Sequence, residues 1–599
     1  MQTVRGQRLT LYHKTTTRIM KKLFQLTTFA FVFAALLTSC KNNVPKEAKY
    51  IPKDAAFVMI LDPQQMQDKL QKGGISLDTL IARLFKNEPA DSKDRAHFTG
   101  VKDSAGINWG NKLFVFSMQK TNSDKTQSST FSVIGGLKDA AKFEAFVKKQ
   151  DEHKDIEIKK EKDYSYFIPH DGSVMVAWND EQLIFTVYNR NQKPVYDTVE
   201  MTFKKPAPAN NEAELKSQVA KYFTQKVNES LADVKIFTDM FKDKADGYVY
   251  SSSNSALSAL SMLPVQPPKL EEFVKDNYTT STLSFEDGKI LLKSTTYTNK
   301  LLSSVLKQYA GPTVNLSMIE NYPSQNINGV VMASFNPEIF GGVIKQMDAE
   351  GLINVFFEKA GFTSQDIYKC LKGDIAVVVS DLGMPGIAVD PGTKLDEKSM
   401  IHKKSFGKML FNAPVGDKAS FFKIMDKAAE LGYVVKQNNE YKGGQLAGAF
   451  GLFIKADDKN LIIASDSLLY TQYMAKTGKA LINKDVLDRF KGKSTVMYFD
   501  VANTLKGFVN DTDPSGFNHA MKMTMQTFKD IIGTTDNFDG TSMKGMFEVR
   551  MQNEKQNSLV TLTSLITDIA VDMRLQARKE KEAEEKMFPG GVPAIIRTN

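Results

Sequence analysis

Two ordered series of similar blocks run through this chain, and they limit what it can fold into more than composition does. Ala55 to Leu70 reads AAFVMILDPQQMQDKL, and Asn328 to Met347 reads NGVVMASFNPEIFGGVIKQM. Both have an apolar strand containing Val-Met, an Asp-Pro or Asn-Pro corner, then an amphipathic helix. Asp62-Pro63 and Asn336-Pro337 are predicted helix starts, the acid or amide capping free amides and the proline taking the first helical position. Similar leads precede them, YIPKDA at Tyr50 and NYPSQN at Asn321. Further blocks follow in the same order. Asn111–Met118 matches Gly373–Leu382, Phe131–Lys149 matches Met409–Glu430, Trp178–Val187 matches Ala456–Ser465, and Phe241–Ser255 matches Phe490–Thr504. The offset is about 260 to 280 residues up to Val187 and about 250 afterwards, so an insertion is expected in the first copy over about 203 to 235.

Each copy shows seven or more alternating apolar strands and three or four helices, without strict strand-helix alternation. The expected fold class is therefore α+β: two tandem copies of a mostly antiparallel sheet with packed helices, at residues 50–310 and 315–568. Residues 569–599 are expected to be a charged helical tail, because Met573 to Lys586 is dense in charged helix formers before Pro589-Gly590-Gly591.

The front of the chain carries a second strong pattern. Lys21 and Lys22 follow Met20, an apolar run extends from Leu23 to Leu37, and Leu37-Thr38-Ser39-Cys40 closes it. A run of about 15 residues is short of the roughly 18 to 20 that span a bilayer, which makes it a signal-peptide core. Residues 20–39 are expected to be a lipoprotein signal peptide, Cys40 the lipidated residue, and residues 1–19 an over-called start. Six of the chain's lysines and arginines, and no acid, precede Cys40, so the formal net charge falls from +9 to +3 in the processed chain. That small excess gives no basic face for nucleic acid. With Cys40 acylated, Cys370 has no partner, which excludes a disulfide framework and a cysteine-rich zinc site.

A lipobox signal, an IPKDA lead into a Val-rich strand and a doubled α+β body together resemble an uncharacterised lipoprotein family of the Bacteroidota, catalogued only as a domain of unknown function. The resemblance implies an envelope location and a repeated architecture, and it brings no catalytic residue set.

Several short strings imitate known sites. Lys491 to Thr495 (KGKST) has the Gly-Lys-Ser of a phosphate loop, but Leu487 stands where the first glycine belongs and the string precedes a strand instead of following one. Ser465–Ser467 and Lys476–Gly478 (SDS, KTG) flank one helix, whose expected end is Gly478. The loop from Asn510, with Asp511, Asp513, Ser515 and Gly516, has Lys522 where a calcium loop needs its bidentate glutamate. His170-Asp171-Gly172 fits a hairpin turn better than an acid/base pair. Trp109 and Trp178 lie near predicted strand ends, able either to stack on a sugar or to seal a core edge. Phenylalanines at helical spacing, as in FFEKAGF and KASFFKIM, are expected in cores. Cys370, at a helix end, is expected to be a small buried hydrophobe.

No catalytic, cofactor-binding or metal-binding residue is therefore assigned, and Cys40 is the one functional site. The first expectation for function is a non-enzymatic, lipid-anchored envelope protein with a binding or scaffolding role, held to the membrane by lipid on Cys40, with an envelope protein or glycan as partner and no nucleic acid. The second is an envelope hydrolase of glycan or peptide using unpatterned carboxylates. The third is a carrier of a lipid or other apolar ligand, which requires a cavity between sheet and helices. Lys41-Asn42-Asn43 after the cysteine, instead of acids, points to the periplasmic face of the outer membrane.

Overall fold

The computed structural model describes residues 44–587, apart from 87–94, 96–104, 123–125, 151–155, 170–171, 191–194, 198–201, 205–210, 261–265, 360, 385, 389–401, 405, 481 and 514. Cys40 and the signal segment lie outside the described residues, as do His170, Asp171 and the end of the expected tail.

Among the described residues 21 strands form one antiparallel sheet; the short Ile107–Asn108 pairs with Gly136–Leu137 at its side, and the other twenty make a continuous ladder. Ten lie in the first half of the chain. They are β1 (Phe57–Leu61), β2 (Leu113–Thr121), β3 (Gln127–Leu137), β4 (Lys159–Lys160), β5 (Ser165–Phe167), β6 (Val174–Trp178), β7 (Gln182–Arg190), β8 (Gly247–Ser252), β9 (Tyr278–Glu286) and β10 (Lys289–Tyr297). The other ten are β11 (Ile327–Ser334), β12 (Asp374–Ser380), β13 (Lys408–Pro414), β14 (Val434–Gln437), β15 (Glu440–Gly443), β16 (Phe453–Ala456), β17 (Asn460–Ala464), β18 (Thr495–Asp500), β19 (Phe528–Thr535) and β20 (Ser542–Met551). Read across the sheet, the order is β4-β5-β6-β7-β3-β2-β1-β8-β9-β10, then β20-β19-β18-β11-β12-β13-β17-β16-β15-β14. Outward from the central β10·β20 pair, each strand of one half thus stands where the strand numbered ten higher stands in the other. Lys293 opposite Met546 marks the middle of that pair. Each pair of sequence blocks falls on such a pair of strands: Asn111–Met118 on β2, Gly373–Leu382 on β12, and so on.

The strands form because their residues alternate. In β7, QLIFTVYNR, every second side chain from Gln182 to Tyr188 is buried, as a two-residue period on a half-covered sheet requires. Helices cover the sheet. In the first half these include α1 (Pro63–Lys72), α2 (Leu77–Leu84), α3 (Ala140–Gln150), α4 (Glu212–Thr224) and α5 (Lys300–Gln308). The second half contributes α6 (Glu338–Gln346), α7 (Glu350–Glu358), α8 (Ser364–Lys369), α9 (Lys418–Glu430), α10 (Gly516–Thr527) and α11 (Ser558–Met587). Asp62 caps α1 by accepting the Gln65 N–H at 3.2 Å, with Pro63 in the first turn. At the second corner the helix begins one residue later: Pro337 is the cap, and Asn336 Oδ1 accepts the Glu338 N–H at 3.0 Å. The expected insertion holds α4, whose Leu215, Val219 and Tyr222 are fully buried in the first half's main core.

One boundary differs from expectation. The division at 568/569 falls inside α11, a single helix of 30 residues. Side chains on both sides of that division are packed: beyond it Ala570 is buried and Arg574 donates to the Leu84 carbonyl at 3.1 Å. Leu559 and Val560 pack with Met66, Leu70, Leu80 and Phe285 of the first half. Helix α5 makes the reciprocal crossing, its Val305 lying against Gly342 of α6. The two halves thus pack against each other through these contacts as well as through the β10·β20 pair.

Candidate functional site

Between α6, α7, α8 and the start of β12 lies an apolar pocket of about 380 Å³, within the ~300–1,000 Å³ range of small-molecule sites. Phe340 and Ile344 of α6, Ile353 and Phe357 of α7, Ile367 and Tyr368 of α8, and Ile375 of β12 line it, closed by Phe335, Pro337, Ser364, Leu371 and Gly373.

The local sequence explains the shape. Gly373 has φ +101°, and a Cβ there would meet the Phe335 carbonyl oxygen at 2.0 Å and Pro337 Cδ at 2.9 Å, so only glycine lets β12 enter beneath the Asn-Pro corner. Gly341 admits the Tyr368 ring and Gly342 the Tyr309 ring, each closer to α6 than a side chain at the glycine would permit. Phe335 and Phe340 meet edge to face at 5.6 Å. Helix α8 opens on a capping box: the Thr363 N–H donates to Asp366 Oδ2 at 2.8 Å and the Asp366 N–H to Thr363 Oγ1 at 3.2 Å. Lys423 of α9 reaches the same carboxylate at 2.7 Å, pinning α8 to α9. Burial works against that charge, but Lys423 and the Thr363 N–H and hydroxyl outweigh it, and Asp366 is lowered to about 2.

Few polar groups face the pocket. Ser364 is buried, and its backbone N–H donates to Asn354 Oδ1 at 3.3 Å. Burial raises the Tyr368 phenol above its ordinary value, with Glu338 adding to the effect, so it stays protonated. Just outside, Cys370 donates its S–H to the Ile367 carbonyl at 3.0 Å, and burial raises its pKa. Cys370 is half-buried against the α9 core and not fully buried as expected, and its raised pKa leaves a protonated thiol. An apolar pocket with a hydroxyl and a phenol in its wall can hold a hydrocarbon and orient one polar group. It holds no nucleophile paired with a base.

The other sequence candidates are placed as follows. Lys491 to Lys493 form a turn before β18, with Gly492 at φ +74° and the lysines paired to Asp488 and Asp536. The KTG string follows a helix that ends earlier than expected, at Met474, with Lys476 in the left-handed region; Gly478 instead allows close contact with Pro323. In the 510 loop, Asp513 is occupied by the Ser515 N–H and hydroxyl, and Lys522 pairs with Asp511. Among the described residues no group of three or more His, Cys, Asp or Glu could hold a metal. The strands flanking Asp171-Gly172, β5 and β6, pair antiparallel. Trp109 and Trp178 are both buried, Trp178 against Phe143 at 5.2 Å, which makes them core residues and not a sugar platform. Asp500 and Asp530 face each other across β18·β19, but Asp500 caps a helix through the Asn503 N–H and Asp530 is gripped by Arg550. Phe421 is a core residue as expected, whereas Phe357 faces the pocket.

The comparisons with known proteins bear on this arrangement at one end only. Residues 48–311 match DUF4836, a domain of unknown function. The DUF4836 match runs from the turn before β1 to just past α5, taking in the whole first series of strands. No curated protein matches the chain. Among solved structures, crystal form IV of TP0453 aligns at 8% identity over 42% of this chain and 81% of its own, with a TM-score of 0.23. Crystal form I of TP0453 aligns at 10% identity over 46% and 88%, with a TM-score of 0.22. Scores that low support no inference about fold or function.

Proposed function

We propose that this is a non-catalytic, lipid-anchored envelope protein, tethered through Cys40 and facing the periplasm, that binds an apolar ligand such as an acyl chain in the pocket under α6, α7 and α8. The observation that carries this reading is the pocket itself: hydrocarbon on nearly every wall, about 380 Å³ in volume, lying between sheet and helices. Of the three expectations drawn from sequence, the carrier is the one that needs such a cavity. Each methylene removed from water would contribute about 0.8 kcal/mol before ordering costs. The succession of strands on either side of β10·β20 further supports a duplicated ancestral unit.

A fluorescent fatty-acid probe titrated into the full chain tests the reading. Saturable binding at one site is expected, weakened at least about tenfold, or ~1.4 kcal/mol, by Ile344→Trp, which fills the pocket. Unchanged binding by a folded Ile344→Trp protein would refute the site, and absence of binding would refute the ligand class.

A further inference from the structure

Helices α5 and α11 occupy corresponding places, after β10 and β20, and start alike. The Leu302 N–H donates to Asn299 Oδ1 at 2.9 Å, and the Leu559 N–H to Asn557 Oδ1 at 3.1 Å. They differ in length, nine residues against thirty. The difference falls where α11 covers α2. Arg83 pairs with Asp568 at 2.6 Å, Arg574 donates to the Leu84 carbonyl at 3.1 Å, and its guanidinium lies 4.5 Å from the Phe85 ring centre. All of these contacts lie beyond the point at which α5 ends.

Helix α7 is the counterpart of α2, and their sequences align as LIARLF (Leu80–Phe85) and LINVFF (Leu352–Phe357). Leu80 is 9% exposed and Leu352 41%; Met66 of α1 is 6% exposed and its counterpart Phe340 of α6 50%. Val355, 59% exposed, stands where Arg83 meets Asp568. Among the described residues the second half therefore leaves exposed a face that the first half packs under a helix, and presents it in a more apolar form.

We propose that the α6–α7 face docks an amphipathic helix of a partner protein, with an apolar residue in the place of Asp568. Its equivalence to the α2–α11 interface, where the corresponding surface of the first half already takes a helix, argues for a helix over a bilayer. The local charges agree, since Glu338, Glu350 and Glu358 offset Lys345, Lys359 and Lys369 and leave no basic surface to seek anionic lipid. The face shares Phe340 with the pocket wall, but Leu352 and Val355, on which the test rests, do not line the pocket.

The probe is a labelled peptide of residues 556–577 carrying Asp568→Leu, added to the full chain. The native α11 holds the first half's face at high effective concentration, so the peptide can reach only the second. Saturable one-to-one binding is expected, with Kd on the order of 10 µM and a loss of about tenfold or more in Leu352→Glu/Val355→Glu. Both positions are exposed, so the variant should fold, which circular dichroism checks. The proposal is overturned if the peptide fails to bind, or if binding survives the double substitution. It is also overturned if the same two residues instead drive flotation with phosphatidylethanolamine/phosphatidylglycerol vesicles, or self-association of the full chain, without peptide competition.

Discussion

The carbonyl oxygen of Phe335 stands 2.0 Å from where a Cβ on Gly373 would be, and Gly373 holds φ +101°. The corner that starts α6 and the strand that floors the pocket are thus locked by one missing side chain. Gly373→Ala must both strain the backbone and push the corner away, at a cost on the order of 2–3 kcal/mol. Urea denaturation should show a lower midpoint, and the fatty-acid probe should bind more weakly at concentrations of urea where the variant is still folded.

Asp366 gives the pocket wall a pH dependence. The fold lowers this carboxyl from 3.8 to about 2, and the groups facing it are Lys423 and Ser420 of α9 and Thr363 of its own cap. Because the folded state favours the ionised form, its contribution is complete above the ordinary value and is lost as pH falls from about 4 through about 2. The stability difference between the wild-type chain and Asp366→Asn should accordingly be largest near neutrality and shrink below pH 4. A difference that stays constant to pH 2 would show that the ion pair does not hold α8. Added salt should reduce the neutral-pH difference, because Lys423 is half exposed.

Where β19 meets β20, Arg550 contacts Asp530 through Nε at 2.5 Å and Nη2 at 2.6 Å, and Asp485 through Nη1 at 2.5 Å. Asp530 is almost wholly buried. Arg550→Met leaves that carboxylate without its cation and should destabilise by about 3–5 kcal/mol. Asp530→Asn/Arg550→Met should recover part of the loss, since no buried charge then stands alone. Equal midpoints for the single and double variants in urea would show that the pair is not what makes the site sensitive.

Much of the ladder was legible because it is a local matter. The period-two pattern of β7, the Asp62-Pro63 corner and the Asp417 cap of α9, which accepts the Ser420 N–H at 2.8 Å, are encoded within a few residues. The pocket was not, because it is set by a length. Phe340 and Phe357 have the helical spacing of core residues, and nothing nearby in sequence states that α5 stops at Gln308 before it can cover them. The signal that could have exposed this is the pairing of LINVFF with LIARLF, in which Val355 replaces a charged residue on a helix whose counterpart has a cover. The two tryptophans illustrate the opposite limit. Their position near strand ends left two environments open, and only the packing of Phe143 and Phe167 against Trp178 decides for the core.

Anchoring is tested independently of the body. Cys40→Ser should yield an unprocessed precursor or a released soluble chain, read by radiolabelled palmitate and membrane fractionation. Acylation persisting in the variant would exclude Cys40 as the lipid site. Protease added to intact cells should spare the wild-type chain and digest it once the outer membrane is permeabilised; digestion of intact cells would place the body outside.

The crossed helices predict that damage at one end of the chain appears in the other half. Leu559 is fully buried between Met66, Leu70 and Phe285, so Leu559→Ala should cost about 2–4 kcal/mol by transfer and cavity terms together. Because its neighbours are in α1 and β9, hydrogen exchange should quicken there and in α2, more than 250 residues away in sequence, before it does in β18 or β19. Val305→Ala, on α5, should do the reverse and loosen α6, against which Val305 and Tyr309 pack at Gly342. Exchange that quickens only within α11 and α5 themselves would mean that the crossings are contacts without energetic weight, and each half should then fold when expressed alone. If the exchange follows the crossings, a first half made without residues 558–587 will expose Met66, Leu70 and Leu80 and fail to reach a native state.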